Sequence, residues 1–349
     1  KATGYPIAKI AALLSIGYNL DEIINDITET TPACFEPSID YVVTKIPRFA
    51  FEKFSGSSSN LTTSMKSVGE TMAIGRTFEE SFQKAIRSLE IGRYGWGCDG
   101  KDKKIKINEL DRLLRIPSPE RLFAIRDAMN NGKTNAEIHN ISNIDQWFLA
   151  KLRNILIGEN FLLNIKNISE LTEDNLLRIK QLGFSDKQIA WATNLKENQI
   201  RELRYKLNIK PIYKTVDTCA AEFLSTTPYH YSTYEKNISK LDNEGNITII
   251  NSNERNISPN KKVLILGGGP NRIGQGIEFD YCCCHASYQA KSEGYSTIMI
   301  NSNPETVSTD YDTSDRLYFE PLKKEFVFNI IKKEKTKGNL VGVITQLGG

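Results

Sequence analysis

The sequence predicts a multi-domain protein with α/β segments at both ends and an all-α segment between them. Three observations carry this. Phe78–Ile91 opens with Thr77 and Glu80 at capping-box spacing, close behind a strand-like alternation at Ser38–Ile46. From about 105 to 210 the apolar spacing is helical throughout. From Lys261 onward, β and α patterns alternate as β-α-β-α-β. A chain of 349 residues is long enough for two or three cores.

In the first segment, Pro6–Ser15 is apolar at helical spacing and stops at Gly17. Asn19 is placed to cap a second short helix running through Ile24. The Ser38–Ile46 strand is closed by Pro47, and the polar Ser55–Asn60 tract reads as a loop. In the middle, Ser118-Pro119 starts a helix that Gly132 ends. Thr134 and Glu137 form a second capping box. Ile144, Trp147, Phe148, Lys151, Leu152 and Ile155 fall on one stripe, and Thr172 and Ser185 cap two more helices around Gly183. Short striped helices must pack on one another, so this segment reads as a helical bundle without a catalytic constellation. Residues 236–260, rich in Asn, Ser, Lys and Glu, read as a linker. The last segment offers strand 262–266, a glycine turn, helix 277–292, strand 296–301, short strand 316–319, helix 323–335 and strand 340–346, half of a doubly wound parallel sheet.

Composition sets bounds. A net charge of +3 is too small for a nucleic-acid footprint. No run reaches the length of a membrane span. The six cysteines form no C-x-x-C pair, which fits a reducing, cytoplasmic setting. The chain begins with Lys1 and stops directly after a buried-strand pattern, and so reads as an internal piece of a longer protein.

The run Gly267-Gly268-Gly269-Pro270-Asn271-Arg272-Ile273-Gly274-Gln275-Gly276-Ile277-Glu278 is the most informative motif. It sits between a strand and a helix, where α/β enzymes bring backbone close to a ligand. It departs from the dinucleotide fingerprint in spacing, and the acidic residue expected about 20 positions on is Asn301. No lysine follows Gly274, so a phosphate-binding lysine loop fails too. Gly267, Gly268, Gly269 and Gly274 therefore read as a shaped turn, with anion binding at the helix N-terminus the alternative. Cys282-Cys283-Cys284-His285 cannot converge on one ion, because successive helical residues point about 100° apart; packing explains them better. Glu305, just past the second strand, lies on the sheet edge that carries ligand crevices and is a candidate functional carboxylate. His139 and His230 have no ligand partners at metal spacing.

Together the motifs resemble one family, the large (synthetase) component of carbamoyl-phosphate synthase. The matching stretches are KATGYPIAKI at 1–10, FEPSIDYVVTKIPRF at 35–49, MKSVGE at 65–70, VDTCAAEF at 216–223, YSTYE at 231–235, GGGPNRIGQGIEFDY at 267–281 and NPETVSTDYDTSDRLYFEP at 303–321. The resemblance implies that 1–95 is the C-terminal part of the first ATP-grasp (carboxyphosphate) domain and 96–235 a helical oligomerisation domain. It further implies that 236–260 is a linker and 261–349 a truncated pre-ATP-grasp subdomain of the second half. It implies ATP, Mg2+ or Mn2+ and K+ as cofactors of the whole enzyme, a glutamine amidotransferase partner or fused domain, and homo-oligomers. The metal-binding Glu and Asn of the first site would precede Lys1, and the second site's ATP ligands would follow Gly349, so catalytic residues are expected outside the span and no metal within it. By motif position Gly276, Glu278 and Glu305 would line the carbamate tunnel. Two rival readings are a nicotinamide-dependent oxidoreductase built on 263–301, which Asn301 argues against, and a non-catalytic scaffold built on the helical segment.

Overall fold

A computed structural model describes residues 1–345 apart from 221, 223, 224, 237, 242, 243, 246, 251, 252, 255 and 256. The tail of the VDTCAAEF stretch, parts of the expected linker and the end of the 340–346 strand thus lie outside the described residues.

The first segment holds α1 (Ile7–Ser15), β1 (Val42–Arg48), β2 (Gly69–Gly75) and α2 (Phe78–Ser88). Strands β1 and β2 form an antiparallel pair, with Pro47 opposite Glu70 inside the strand rather than closing it. A two-stranded ribbon leaves one edge of each strand unbonded, where proline's missing N–H costs nothing. Asn19 caps no helix: its backbone and side-chain N–H groups both donate to Glu22, closing a turn. Only half of the first expected capping box forms. Thr77 accepts the Glu80 N–H at 3.2 Å, but the Glu80 carboxylate accepts from the Arg76 N–H (2.9 Å) and the Thr233 hydroxyl (2.8 Å). Helix α2 ends at Ser88, and Glu90 adopts a left-handed conformation, φ +56°.

The middle segment contains α3 (Ile107–Arg115), α4 (Arg121–Asn130), α5 (Asn135–Ser142), α6 (Gln146–Leu163), α7 (Glu173–Gln181), α8 (Asp186–Ala192) and α9 (Glu197–Lys206). The Thr134–Glu137 box is complete, and Thr172 and Ser185 cap α7 and α8. On α6 the buried face is Leu149, Leu152, Ile155, Leu156 and Leu162, whereas Trp147 and Phe148 are about half exposed. The two rings pack edge-on against Phe78 at 5.6 and 5.5 Å, so the expected stripe splits between the bundle and α2.

The sheet extends further back along the chain than the pattern of the last segment suggests. Strand β3 (Ile212–Thr215) and β4 (Tyr229–Thr233) precede a hairpin of β5 (Ile238–Leu241) and β6 (Ile247–Ile250), which occupies the stretch expected to be linker. Then follow β7 (Lys261–Leu266), α10 (Glu278–Ser292), β8 (Ser296–Asn301), β9 (Arg316–Phe319), α11 (Lys324–Glu334) and β10 (Asn339–Thr345), each within two residues of expectation. The six-stranded order is β10-β7-β8-β9-β4-β3, parallel except for β3. Strands Ile212–Thr215 and Tyr229–Thr233, which fall in the expected 96–235 helical unit, thus belong to this sheet. Alternation along the strands splits the sheet faces. Ile265, Met299 and Leu317 pack with Cys283 of α10 and with Tyr41, Met72 and Ile74 of the first segment. Leu264, Ile298, Ile300 and Tyr318 pack with Ile330 of α11. Cys283 and Cys284 are buried, and burial pushes both thiols up to about 12, while Cys282 faces solvent. No helix among the described residues is long and apolar enough to cross a membrane.

Buried charges join the segments. The Lys84 ammonium of α2 reaches Ile74 O (3.0 Å), Ser232 O (2.5 Å) and the Glu320 carboxylate (3.2 Å), with both side chains at most 3% exposed. Burial pushes the Glu320 carboxyl up despite Lys84. Replacing Lys84 by Met would leave that carboxylate without its cation, and a buried pair broken in this way costs ~3–5 kcal/mol. The expected result is a large drop in urea midpoint with an unchanged slope; a midpoint within error of the wild type would disprove the role.

Candidate functional site

Doubly wound sheets place ligand crevices beyond the carboxyl ends of their strands, at the point where strand order reverses. Here the chain runs from β7 outward through β8 and β9, then returns to place β10 on the other side of β7. The glycine turn leaves β7 at this reversal, and the Ser302–Thr306 loop leaves β8 beside it.

The turn is packed tightly from beneath. A Cβ on Gly267 would stand 2.6 Å from Asn301 Nδ2 and 3.0 Å from the Ile300 carbonyl. Asn301, found where a ribose-binding acid would be in a dinucleotide fold, is fully buried and works within the protein. Its Oδ1 accepts the Asn303 N–H (2.7 Å) and its Nδ2 donates to Ser308 Oγ (3.1 Å). Asn303 Nδ2 donates to the Gly269 carbonyl (3.1 Å) and to Asn271 Oδ1 (3.0 Å), while its Oδ1 accepts the Glu305 N–H (2.9 Å). The Asp280 carboxylate of α10 receives the Ser308 N–H at 3.1 Å. Asn303 thus ties the two crevice loops together, while Asn301 and Asp280 brace the loop after β8 against the strand end and α10. These residues escaped the sequence reading; the one signal available was the unexpected amide at 301.

Gly274 has φ +90° with open space around its Cβ position, so backbone conformation is what requires glycine there. Gly276, Ile277 and Glu278 are exposed. The Glu278 carboxylate folds back onto the Gly276 N–H (3.1 Å) and overlaps the place a Gly276 Cβ would take. Space at Gly276 is therefore filled by Glu278 in this state, not left as bore. With Glu278 and Asp280 in the first turn of α10, the helix N-terminus holds its own carboxylates. The residues present do not fit an ATP phosphate there: there is no lysine, and the anion position is already acidic. Among the described residues no group of three or more His, Cys, Asp and Glu is placed to hold a metal ion.

Glu305 lies across the first segment's ribbon. Its carboxyl is hydrogen-bonded to Glu70 of β2, which raises it above the ordinary range; burial and Glu70's charge add to the rise, and Lys45 opposes it. Lys45 pairs with Glu70 and lies 3.9 Å from Glu305. Neither Glu70 nor Lys45 was singled out from the sequence. Glu305 and the Gly276–Glu278 pair stand on different loops of the same sheet edge, one facing Glu70 and the other facing solvent. Nearby, the Met72 N–H donates to Ser302 O (2.9 Å) and the Asn271 backbone abuts Gly69, where a Cβ would come within 2.6 Å of the Asn271 N.

A mostly parallel α/β sheet with a glycine turn and crevice at its reversal point, docked on a helical bundle, places the chain among multi-domain proteins of the doubly wound α/β class. Residues 70–208 match the model of the carbamoyl-phosphate synthetase large chain oligomerisation domain, and 259–349 match that of the carbamoyl phosphate synthase preATP-grasp domain. The chain is 58% identical over its whole length to the carbamoyl phosphate synthase large chain of Nostoc sp., of which it covers 30%. It is 57% identical to the arginine-specific chloroplastic large chain of Arabidopsis thaliana (28% covered) and 55% identical to the large chain of Archaeoglobus fulgidus (31% covered). The chain belongs to the carbamoyl phosphate synthase large-chain family and spans under a third of the length of these relatives.

A pH prediction follows from the Glu70–Glu305 pair. A carboxyl whose folded value is raised binds a proton in the fold that the unfolded chain has released. Its stabilising share is therefore full below the ordinary value of 4.5 and lost as pH rises through the raised one. Glu305→Gln should remove this slope. Because Glu305 is more than half exposed, the difference stays within the ~0–1 kcal/mol of surface charge pairs. Urea midpoints of both proteins from pH 4 to 7 check it; parallel profiles would count against the shared proton.

Proposed function

We propose that this chain is part of a carbamoyl phosphate synthase, an ATP-dependent carbon–nitrogen ligase that makes carbamoyl phosphate from bicarbonate, two ATP and ammonia released from glutamine. The observation that carries this reading is the 58% identity along the whole chain to a relative of that name. In this reading residues 1–95 are the end of the first ATP-grasp domain and 96–235 the oligomerisation domain, with its last strands lent to the neighbouring sheet. Residues 261–349 begin the second half. ATP, Mg2+ or Mn2+ and K+ serve the whole enzyme, a glutaminase supplies ammonia, and copies associate through the helices. The cytoplasm is the expected setting, and the product would feed pyrimidine or arginine synthesis.

The span itself supplies scaffold and passage. Gly276 and Glu278 on one crevice loop and Glu305 on the other are proposed to line the route by which carbamate travels between the two phosphorylation sites. Glycine keeps bulk out of the route, and carboxylates hydrogen-bond a passing acid while repelling bulk anions. The seat of the Glu278 carboxylate on the Gly276 N–H supports a gate-like edge there, because the carboxylate has room to swing outward into solvent.

Two measurements test this. Purified residues 1–349 should form no carbamoyl phosphate from ATP, bicarbonate and ammonia, while the longer protein containing them should; synthesis by the span alone would refute the layout. In the longer protein, Gly276→Phe should lower carbamoyl phosphate formed per ATP hydrolysed while bicarbonate-dependent hydrolysis persists. Unchanged coupling would remove Gly276 from the route.

A further inference from the structure

Glu90 stands where helix α2 ends, at the position that usually takes glycine or asparagine because the chain turns left-handed there. Its φ of +56° is strained for a side-chain-bearing residue and persists only where surroundings hold it. What holds it lies in the last segment. The Glu90 carboxylate is paired with the Arg272 guanidinium of the glycine loop. It also occupies the space beside Gly269: a Cβ there would stand 2.6 Å from the Glu90 carboxyl carbon. Glu90 is an anion among several cations, with Glu52 also acting on Arg48 and Arg87 also acting on Lys323. Arg48, whose Nη1 donates to the Leu89 carbonyl (2.6 Å), and Lys323 both feel its charge together with that of Arg272. Without Glu90, these like charges would face one another.

We propose that Glu90 is a positioning residue for the glycine loop: its carboxylate clamps Arg272, fills the gap that Gly269 leaves, and so sets the crevice of the last segment from the first. Gly269 is then glycine because another residue's carboxylate occupies the volume of its side chain, and Glu90 tolerates a strained backbone because that backbone aims the carboxylate. Asn303 also bonds the loop, at the Gly269 carbonyl and Asn271 Oδ1, so two separate side chains hold it. A link to carbamoyl phosphate formation rests on the function proposed above; the hold on the loop does not.

Amide hydrogen exchange on residues 1–349 tests the clamp. The loop carries its own protected amides: Arg272 N–H on Gln275 Oε1 (3.1 Å), Gln275 N–H on Arg272 O (3.1 Å) and Ser302 N–H on Gly268 O (3.3 Å). Glu90→Gln should speed exchange at these sites about tenfold, the factor for one charge-assisted hydrogen bond, and leave α2 and the helical core unchanged. Glu90→Gly separates positioning from stability. It relieves the strained conformation, so Tm should hold or rise while the loop still loosens. Loop exchange at the wild-type rate in both Glu90→Gln and Glu90→Gly would overturn the proposal. Should Glu90→Gln loosen the whole chain, Gly269→Ala decides: its methyl displaces the carboxylate, so an unaltered loop would overturn the clamp. In the longer protein, Glu90→Gln should raise ATP consumed per carbamoyl phosphate formed. A loosened loop with unchanged coupling would overturn the functional link alone, whereas a wild-type protein that makes no carbamoyl phosphate would fell the proposed function and leave the clamp standing.

Discussion

Everything in this chain hangs on two buried acids, Glu320 and Glu325, on either side of the short connection between β9 and α11. Glu320 receives Lys84 from the first segment and the Ser232 N–H from β4. Glu325 receives Lys180 (2.6 Å) and the Asp186 N–H (2.7 Å) from the helical bundle. Burial pushes the Asp186 carboxyl up, but Lys180 and Arg204 outweigh it and hold it below the ordinary range. Each ion costs several kcal/mol to bury unless its partners are in place. Two adjacent sites on one segment are therefore satisfied only when both of the other segments have docked. That requirement couples the docking of the segments and fixes relative orientation more narrowly than apolar packing does, since apolar contacts are non-directional and buried charged hydrogen bonds are not.

The crevice inherits this orientation. Once α2 is fixed by Lys84, the residues just past its C-terminus are delivered to the glycine loop, and β2 is delivered to the loop after β8. Met72 then meets Ser302, Gly69 meets Asn271, and Glu70 meets Glu305. The site is composite by construction: one sheet supplies its floor and a ribbon from the other end of the chain supplies a wall. Sheet and ribbon share a core in which Met72 and Ile74 pack with Ile265 and Met299, so loop geometry and core packing are not separable.

How far the sequence discloses this depends on the distance over which each signal acts. The elements from β7 to β10 are legible because alternation, a glycine turn and helical spacing are all local, and the Thr134–Glu137 box declares itself over four residues. Strands β3 and β4 are not legible as sheet members, because β4 pairs with β9 and nothing near Tyr229–Thr233 announces a partner so far along the chain. Trp147 and Phe148 mislead for a related reason: they obey the helical period, yet the apolar surface they cover belongs to Phe78 of another segment. Glu80 has capping-box spacing, but a distant hydroxyl on Thr233 competes for its carboxylate. Family resemblance pointed to Gly276 and Glu278, and the sheet-edge rule had already pointed to Glu305; Glu70 and Glu90 emerge only from contacts made across segments, and Asn303 only from bonds between two loops of one sheet.

The glycine motif shows why spacing alone misreads chemistry. A helix N-terminus following a glycine turn is a ready anion site, because free N–H groups and the helix dipole both favour negative charge. In this chain the capacity is used internally. Glu278 takes the Gly276 N–H, Gln275 Oε1 takes the Arg272 N–H, the Arg272 carbonyl takes the Gln275 N–H and Asp280 takes the Ser308 N–H, leaving fewer main-chain donors for a phosphate. A surface with its donors already matched to its own carboxylates repels further anions yet still offers acceptors to a neutral acid. The same turn that cradles nucleotide elsewhere is, by two first-turn acids and one misplaced amide, converted into a packed acidic edge.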